Sequence, residues 1–463
     1  MSTAAGQHGR KGTAVATPAT TIPTIKGLPL AGNIGHFLFD PLRFITSLRS
    51  RGDVVAIRVG TTRVFVLNDP DLIRQMLVGQ AHAFARGRQH EKLRPWWGDG
   101  LALSEGSLHM RQRRLMQPAF HRQQVARYVH AMQEAAEARI GSWPAGQLIQ
   151  GDKEVYALLV TMVTQNLFSA RIGEESVRKI QQVLPVILSG VGWRSLDPTD
   201  LLEKLPLRSN RRFSEALTAM HAVVDDLIGN HEPDGKDLLS MLCEAGDPET
   251  GQGMSRQQIH DETISLFMVG SAPTSSALSW ACHLLSTHQD IQARVQAEAD
   301  EVLSGRPAQA EDLARLDLTR RVVTEALRMY PPTWILTRRT TTDVDLGRYC
   351  IPAGAAVCYS PYAVHRDPAI YPDPGRFDPD RWLPERADGI PRTAYVAFGA
   401  GNRGCIGEPV AWAQAVVTLS TLARHWTLTP APGASVKPEA KILLMPSQLP
   451  LIPLPRPTAP ATP

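Results

Sequence analysis

The sequence Phe398-Gly399-Ala400-Gly401-Asn402-Arg403-Gly404-Cys405-Ile406-Gly407 sets one cysteine among glycines, directly before an apolar stretch with helical periodicity. Glycines beside a cysteine let the backbone pass close to a flat ligand, because they have no side chain. A thiolate just before a helix is stabilised by the helix dipole and by the free amides of the first turn. Such amides also tune how strongly the sulfur donates to a metal. The alternative is a buried structural cysteine, which is the commoner situation for a lone cysteine.

The stretch matches the pattern F-x-x-G-x-R-x-C-x-G, and through it the chain resembles the cytochrome P450 superfamily. A chance match to its five fixed positions has a probability on the order of 10⁻⁴ in a chain of this size. The resemblance implies that the thiolate of Cys405 holds the iron of haem b (iron protoporphyrin IX). It also implies cofactor contacts by the loop residues Phe398, Gly401, Arg403 and Gly407. Arg403 suits a haem propionate, since a guanidinium pairs well with a carboxylate.

Three charged residues elsewhere in the chain support the resemblance. Glu325 and Arg328 are three residues apart and share a helix face. Alone this is a weak signal, because most such pairs are solvated. Arg381 follows downstream, and all three match the superfamily's E-x-x-R motif and its later arginine. The resemblance implies a structural triad buried behind the haem, in which losing one partner strands a buried charge.

Two further basic positions are candidate propionate contacts. His109 and Arg113 lie four residues apart, so they share one helix face. Without the resemblance, a solvated basic face is the simpler interpretation. With it, H-x-x-x-R is the bacterial form of a propionate clamp, and Arg338, ten residues after Arg328, matches another propionate contact.

Arginines beside this clamp are candidates for a protein-binding surface. Arg111, Arg114 and Arg122 would lie on or near the proximal face and attract an acidic ferredoxin. Ordinary solvated arginines are an equal alternative.

The sequence that resembles the superfamily's distal helix departs from the usual pattern A/G-G-x-D/E-T-T/S. Alignment on Gly270 puts Ala272 at the acid position and Pro273 at the alcohol position, so the usual proton-delivery pair is missing. Thr274 is one residue later, which rotates it by about 100° around a helix. Proline removes one N–H and frees the carbonyl of Val269, kinking the helix.

We therefore expect protons to arrive through water, the Val269 carbonyl and the hydroxyl of Ser271 or Thr274. The alternative is that both hydroxyls only bond back to the kinked helix.

The regions that line the substrate pocket in this superfamily are apolar here, which indicates a hydrophobic substrate without an essential counter-charge. The candidate substrate-binding residues are Trp96, Trp97, Trp193, Phe267, Val269, Trp334, Ile335 and Leu336. Each could equally belong to the core. The stretches 334–339, 360–368 and 377–387 look similar to bacterial, actinobacterial-type terpenoid-biosynthetic members of the superfamily.

Composition limits the classes of protein that remain. The net charge of +4 arises from 49 basic and 45 acidic residues, so no nucleic-acid partner is indicated. Five scattered cysteines without a C-x-x-C pair favour a reducing compartment over a disulfide framework. The leader lacks the apolar core of a secretory signal, and no stretch is long enough for a membrane span. We expect a cytoplasmic monomer.

The sequence predicts a mainly α chain with a small β region, and the resemblance implies the single-domain cytochrome P450 fold. The expected divisions are a flexible leader over 1–24, the haem domain over 25–455 and a Pro-rich tail over 456–463. A hairpin over 54–67, a long helix over 255–288 and a last helix after Cys405 are specific predictions.

The predicted function is a haem-thiolate monooxygenase that oxidises a sesqui- or diterpene in secondary metabolism with O₂. Its electrons would come from a separate ferredoxin and ferredoxin reductase, since the chain has no flavin or iron–sulfur module. The alternatives are a polyketide- or macrolide-tailoring oxygenase, a peroxide-dependent or redox-neutral haem-thiolate enzyme, and a haem-binding sensor without turnover.

Overall fold

A computed structural model of the chain describes residues 20–168, 174–196, 205–231, 237–247 and 249–456. Most of the predicted leader and nearly all of the predicted tail lie outside these ranges.

Helices account for most of the described residues. In chain order they are α1 (Ile34–Phe39), α2 (Pro41–Ser47), α3 (Pro70–Arg74), α4 (Arg88–Glu91), α5 (Arg94–Trp97), α6 (Gly106–Met116), α7 (Arg122–Gly141), α8 (Gly151–Phe168), α9 (Glu174–Leu196), α10 (Arg208–Gly229), α11 (Leu238–Glu244), α12 (Arg256–Gly270), α13 (Ala272–Thr287), α14 (Gln289–Leu303), α15 (Asp317–Met329), α16 (Pro361–Val364), α17 (Pro384–Ala387) and α18 (Glu408–His425).

The strands are short and form small sheets. They are β1 (Val54–Val59), β2 (Thr62–Leu67), β3 (Phe84–Arg86), β4 (Ile149–Gln150), β5 (Leu336–Thr340), β6 (Val344–Leu346), β7 (Tyr349–Ile351), β8 (Ala356–Tyr359), β9 (Trp426–Pro430), β10 (Pro438–Ala440), β11 (Leu444–Pro446) and β12 (Pro450–Pro455). The largest sheet has the order β1-β2-β8-β5-β3, with β2 and β8 parallel and its other pairs antiparallel. The predicted mainly α chain with a small β region and the predicted hairpin are confirmed.

The predicted long helix over 255–288 is two helices that meet at Ser271. Helix α12 starts with a capping box between Ser255 and Gln258, and α13 carries Pro273 in its first turn. Because proline has no N–H, the helical ladder is interrupted at this point. The two halves also pack in different cores: α12 joins a cluster with α5, α8, α9, α10 and α11, whereas α13 joins one with α7, α8, α14, α15 and α18.

Glu325, on α15, is the centre of a buried charged network. Arg328 donates two hydrogen bonds to its carboxylate, at 2.8 and 2.9 Å, and Arg381 donates one at 3.3 Å. The indole N–H of Trp382 adds a bond of 2.9 Å. Arg328 also donates to the carbonyl oxygens of His365 and Pro374, each at 2.9 Å. The structure thus brings the three residues of the predicted triad together and ties α15 to the chain that leads to Cys405.

Glu325→Gln should lower the free energy of unfolding by about 3–5 kcal/mol, because it leaves the buried guanidinium of Arg328 without a counter-charge. Chemical denaturation measures the change, with the exposed Glu385→Gln as control. A loss no larger than that of the control would contradict a network that depends on charge.

His365 makes stability depend on pH. Burial lowers the pKa of His365 to about 3, and the nearby charges of Arg328 and Arg366 act in the same direction. In the unfolded chain a histidine titrates near pH 6.5, so below that pH only the unfolded state takes up this proton. The stability contribution is complete above about pH 6.5 and declines as the pH falls towards 3.

From pH 6.5 to 5 the wild type should lose roughly 2 kcal/mol more than His365→Gln, as measured by urea denaturation at both pH values. The exposed His130→Gln serves as control and should keep the wild-type pH dependence. Equal losses for His365→Gln and the wild type would show that His365 binds a proton as readily in the folded state as in the unfolded state.

Candidate functional site

The loop before α18 is held in a conformation that needs glycine. Gly399 and Gly401 have φ angles of +70° and +68°, which side-chain-bearing residues rarely adopt. A Cβ on Gly401 would lie 2.3 Å from the carbonyl oxygen of Leu77. The amide of Cys405 donates to the carbonyl of Phe398 at 2.9 Å, and that of Gly404 to Gly401 at 3.0 Å. The loop is therefore a tight, internally bonded turn that presents the cysteine.

The sulfur of Cys405 stands at the N-terminal end of α18. Burial raises the pKa of its thiol, and the hydrogen bonds from the amides of Gly407 and Glu408 act in the opposite direction. The cysteine is nevertheless exposed on one side, away from the protein atoms that enclose the rest of it. The two amides thus offset only part of the cost that burial imposes on a thiolate, and one side of the cysteine is open to a ligand.

Helix α6 supports the loop through two basic residues. Arg113 donates to the carbonyl of Gly404 at 2.8 Å. Nδ1 of His109 lies 2.7 Å from Nη1 of Arg403, which donates because a guanidinium has no acceptor. Burial and the charge of Arg403 lower the pKa of His109 to about 4. His109 is thus a neutral partner that positions Arg403, while Arg113 binds the loop beside Cys405.

A cluster of positive charge lies next to this loop. Arg86 of β3 is directly opposite Arg338 of β5, and like charges at such a position repel each other. Arg403 is the third guanidinium; it also donates to the carbonyl of Ser104 at 2.7 Å. Glu105 supplies one carboxylate: it lies 3.5 Å from Arg403 and accepts the amide of Arg86 at 2.8 Å. Burial and the two neighbouring guanidinium charges lower the pKa of Arg86 to about 9.

Two polar atoms in this cluster are buried without a hydrogen-bond partner in the described part of the chain: Nε of Arg86 and Nδ1 of His90. Burial and the charges of Arg86 and Arg338 lower the pKa of His90 to about 3. Guanidinium charge in excess of carboxylate, beside these two orphaned nitrogens, fits an anionic ligand with several oxygen atoms. Arg86 and His90 were not among the residues predicted from the sequence, since the pairing of β3 with β5 puts Arg86 opposite Arg338, and His90 follows on α4.

The distal helix presents an apolar stripe. Its accessible residues recur at helical spacing: Leu266, Val269, Gly270 and Pro273. Val269 is 44% exposed although Phe267 and Met268 are buried. Ser271 is 1% exposed and its hydroxyl donates to the carbonyl of Phe267 at 3.3 Å, and Thr274 is 9% exposed. Both hydroxyls therefore lie off the accessible stripe.

The other predicted substrate-binding residues are distributed between this region and the cores. Trp97 and Phe267 are buried in one cluster, and Trp96 packs edge-on against Phe213 at 5.1 Å. The indole of Trp334 is buried elsewhere and donates to the carbonyl of Lys441 at 2.8 Å. Ile335 and Leu336 are partly buried at the start of β5. Trp193 is in α9, but its side chain lies outside the described residues.

Comparisons with known proteins identify the family of this chain. Among family models, Cytochrome P450 matches residues 22–453. The chain is 41% identical over 434 residues to cyclooctatin synthase from Streptomyces melanosporofaciens, covering 93% of this chain and 95% of that protein. It is 38% identical over 442 residues to cyclooctat-9-en-7-ol 5-monooxygenase from the same organism, covering 95% and 96%.

A third relative, pentalenene oxygenase from Streptomyces avermitilis, is 38% identical over 416 residues, covering 89% of this chain and 92% of that protein. Among solved structures, the crystal structure of the cytochrome P450DA heme domain superposes with a TM-score of 0.86 at 25% identity, covering 95% of this chain and 99% of the other.

The chain belongs to the cytochrome P450 family. It has the fold of that family, it is a monooxygenase, and haem b is its cofactor. The prediction of an enzyme, rather than a haem sensor, is confirmed. It uses O₂, a hydrophobic substrate and electrons from a redox partner. In the described ranges, none of the helices combines the length and apolarity needed to cross a membrane.

The described residues fit haem b. The porphyrin carries two propionates, whose charge the guanidiniums of Arg86, Arg338 and Arg403 can neutralise and which the neutral His90 can contact. The glycine-rich loop allows a flat macrocycle to approach closely, and Cys405 offers the open sulfur.

Gly401→Ala should reduce both stability and haem content. Its Cβ would clash with the Leu77 carbonyl, and its left-handed conformation would cost about 1–2 kcal/mol besides. Thermal denaturation and absorbance of the purified protein measure the two effects. Gly389→Ala is the control, because nothing lies within 4 Å of its added Cβ. Wild-type haem content in Gly401→Ala would show that the loop tolerates a side chain.

Proposed function

We propose that this P450 hydroxylates or further oxidises a terpene hydrocarbon of sesqui- or diterpene size in secondary metabolism. The observation that carries the proposal is the apolar stripe of α12 and α13, on which Leu266 and Val269 are accessible and no charged side chain is. A site of this kind selects by shape and apolar contact and asks for no counter-charge on the substrate. The names of the three relatives, cyclooctatin synthase, cyclooctat-9-en-7-ol 5-monooxygenase and pentalenene oxygenase, support a terpenoid substrate.

Cys405 supplies the thiolate ligand of the haem in this proposal, and Arg86, His90, Arg338 and Arg403 hold the propionates. When bound, the haem supplies an iron centre that activates O₂ for insertion of one oxygen atom into a C–H bond. The amides of Gly407 and Glu408 moderate the charge on the sulfur, and thereby its electron donation. Burial of the site keeps water away from the cationic contacts, so that each is stronger than in solvent.

Electrons come from a separate ferredoxin and its reductase, which dock near Cys405. Of the three candidate arginines, Arg122 is exposed and available to an acidic partner. Arg111 and Arg114 have part of their charge compensated by Asp247, at 3.4 and 3.1 Å. We place the enzyme in the cytoplasm as a monomer; its five cysteines are all unpaired, as a reducing compartment favours.

Protons reach the distal side through ordered water and the carbonyl of Val269, which lacks its helical donor because residue 273 is proline. The Ser271 hydroxyl donates to the Phe267 carbonyl. The proposed route therefore depends more on water and the Val269 carbonyl than on the hydroxyls. The missing acid and alcohol favour one second function, a peroxide-dependent or redox-neutral haem-thiolate reaction. Macrolide tailoring is the alternative for the substrate.

Product analysis distinguishes these functions. With NADPH, a ferredoxin and its reductase, pentalenene and a diterpene hydrocarbon should yield monooxygenated products, and a macrolide should not. Peroxide alone should give at most a small fraction of the product. Product formation from peroxide at the rate of the full system would favour the peroxide-dependent enzyme, and conversion without any oxidant would favour the redox-neutral one.

Cys405→His should abolish the thiolate-type band of the carbon monoxide difference spectrum, because an imidazole donates less electron density to iron. Cys358→Ser is a control, since Cys358 is buried in a different part of the fold and should leave the band unchanged. A thiolate-type band that survives in Cys405→His would mean that another cysteine is the ligand.

A further inference from the structure

Helix α12 carries a buried carboxylic acid that the mechanism above does not use. Glu262 is 0% exposed. It precedes Leu266, Val269 and Pro273 by four, seven and eleven residues, so it lies on the same helix stripe. With a rise of 1.5 Å per residue, it is about 10 Å along the axis from Val269. An acid thus stands on the distal stripe, ten residues or nearly three turns upstream of the position where the family's usual acid is replaced by Ala272.

The segment 98–101 covers this acid and is bonded closely to it. The amide of Leu101 donates to Oε2 of Glu262 at 2.8 Å, and that of Asp99 to Oδ2 of Asp261 at 2.9 Å. A Cβ on Gly100 would lie 2.2 Å from Oγ of Ser265, so this backbone lies against the helix. The covering segment excludes bulk solvent from Glu262.

Three polar atoms around this segment have no hydrogen-bond partner in the described part of the chain: Oε1 of Glu262, Oγ of Ser265 and Oε1 of Gln112. Gln112 is tied to the same segment, because its Nε2 donates to the carbonyl of Asp99 at 2.7 Å. Buried polar atoms without a protein partner are normally satisfied by ordered water. Ser265 is one turn beyond Glu262 and one turn before Val269, which is a spacing that water molecules can bridge.

Glu262 is neutral at physiological pH. Burial raises the pKa of Glu262 to about 8, the charge of Asp261 adds to the increase, and the amide of Leu101 opposes it. Other titratable or charged groups lie around the covering segment and the neighbouring turn: His109, Asp99, Arg94 and His260. Of these, Arg94 is paired with Asp99 at 2.8 Å, and His260 lies 3.5 Å from Asp261.

We propose that Glu262 is the proton reservoir of the distal side, passing its proton through ordered water and Ser265 to the water at the Val269 carbonyl. This inference rests on the proposed water route. Each turnover consumes O₂, two electrons from the redox partner and two protons, and it releases one oxygen atom as water. The O–H bond of Glu262 breaks, a carboxylate remains, and a solvent proton restores the acid. Glu262 does not touch the substrate or the haem; it supplies the proton through water and Ser265, and it is therefore a positioning residue rather than a catalytic one.

The first test is independent of turnover. The infrared spectrum of the haem-loaded wild type at pH 7 should contain the C=O band of a buried neutral carboxylic acid, which disappears as the pH rises through about 8. Glu262→Gln should lack this band, and Asp261→Asn should keep it. A wild type without such a band, or a band that persists in Glu262→Gln, would overturn the inference.

The second test compares coupling, measured as product and H₂O₂ formed per NADPH with pentalenene as probe. Glu262→Gln keeps an acceptor for the Leu101 amide but has no proton to give. Its product yield should fall by on the order of 10²-fold with H₂O₂ released instead, as for loss of a positioned proton donor. Ser265→Ala should fall in the same direction. Asp261→Asn is the matched control, because it alters a carboxylate bonded to the same segment but off the stripe, and it should retain wild-type coupling.

Wild-type coupling should also fall above pH 8, and this inflection should be absent in Glu262→Gln. Wild-type coupling in Glu262→Gln, or an equal loss in Asp261→Asn, would reduce Glu262 to a tether for the segment 98–101. Full coupling in Ser271→Ala and Thr274→Ala would disprove only the hydroxyl part of the proposed route. A wild type that makes no product from pentalenene would contradict the proposed substrate, and the infrared band would still decide the role of Glu262.

Discussion

Arg86 and Arg338 of the sheet and Arg403 of the cysteine loop, which bonds His109 of α6, repel one another where these elements meet. Three guanidiniums share a single carboxylate, that of Glu105, among the described residues around them. Such a cluster is costly unless an anion completes it, because buried like charges repel in a low dielectric. The two propionates of haem b supply that charge. Haem binding and folding are therefore coupled: a ligand bound only by the native state stabilises it.

The two faces of the haem site are built on different principles. On the cysteine side, backbone hydrogen bonds and glycine conformations hold the loop, and the Leu77 carbonyl leaves no room for a side chain at Gly401. On the distal side, the helix is interrupted at Ser271, and Pro273 lacks the N–H that would bond the Val269 carbonyl in a regular helix. The tight loop thus holds the iron ligand in one position, whereas the interrupted distal helix forms the side where substrate and protons enter. In our proposal, the buried Glu262 supplies the distal side with the acid that Ala272 lacks.

The relatives show how much divergence this arrangement tolerates. A solved P450 heme domain at 25% identity superposes with a TM-score of 0.86, so the fold survives replacement of most side chains. Burial pattern and helix packing accommodate many apolar sequences, provided that volume and periodicity are kept. The Glu325 network does not have this latitude, since each of its charges needs a specific partner.

The sequence by itself determined the features that depend on neighbouring residues. The hairpin over 54–67, the helix after Cys405 and a kink at Pro273 follow from local periodicity and from the missing proline N–H. The cysteine loop was recognisable because its chemistry is confined to ten consecutive residues.

Only the tertiary structure decided which distant residues meet. Arg86 joins the cationic cluster through the pairing of β3 with β5, and strand register is a non-local property. Trp334 could be assigned to a pocket or a core only once the indole was placed, because an isolated apolar side chain suits both. Glu262 was not singled out from the sequence, because it is buried only where the segment 98–101 packs over helix α12. Its burial depends on the tertiary contact with this segment, and burial favours the protonated form of the acid.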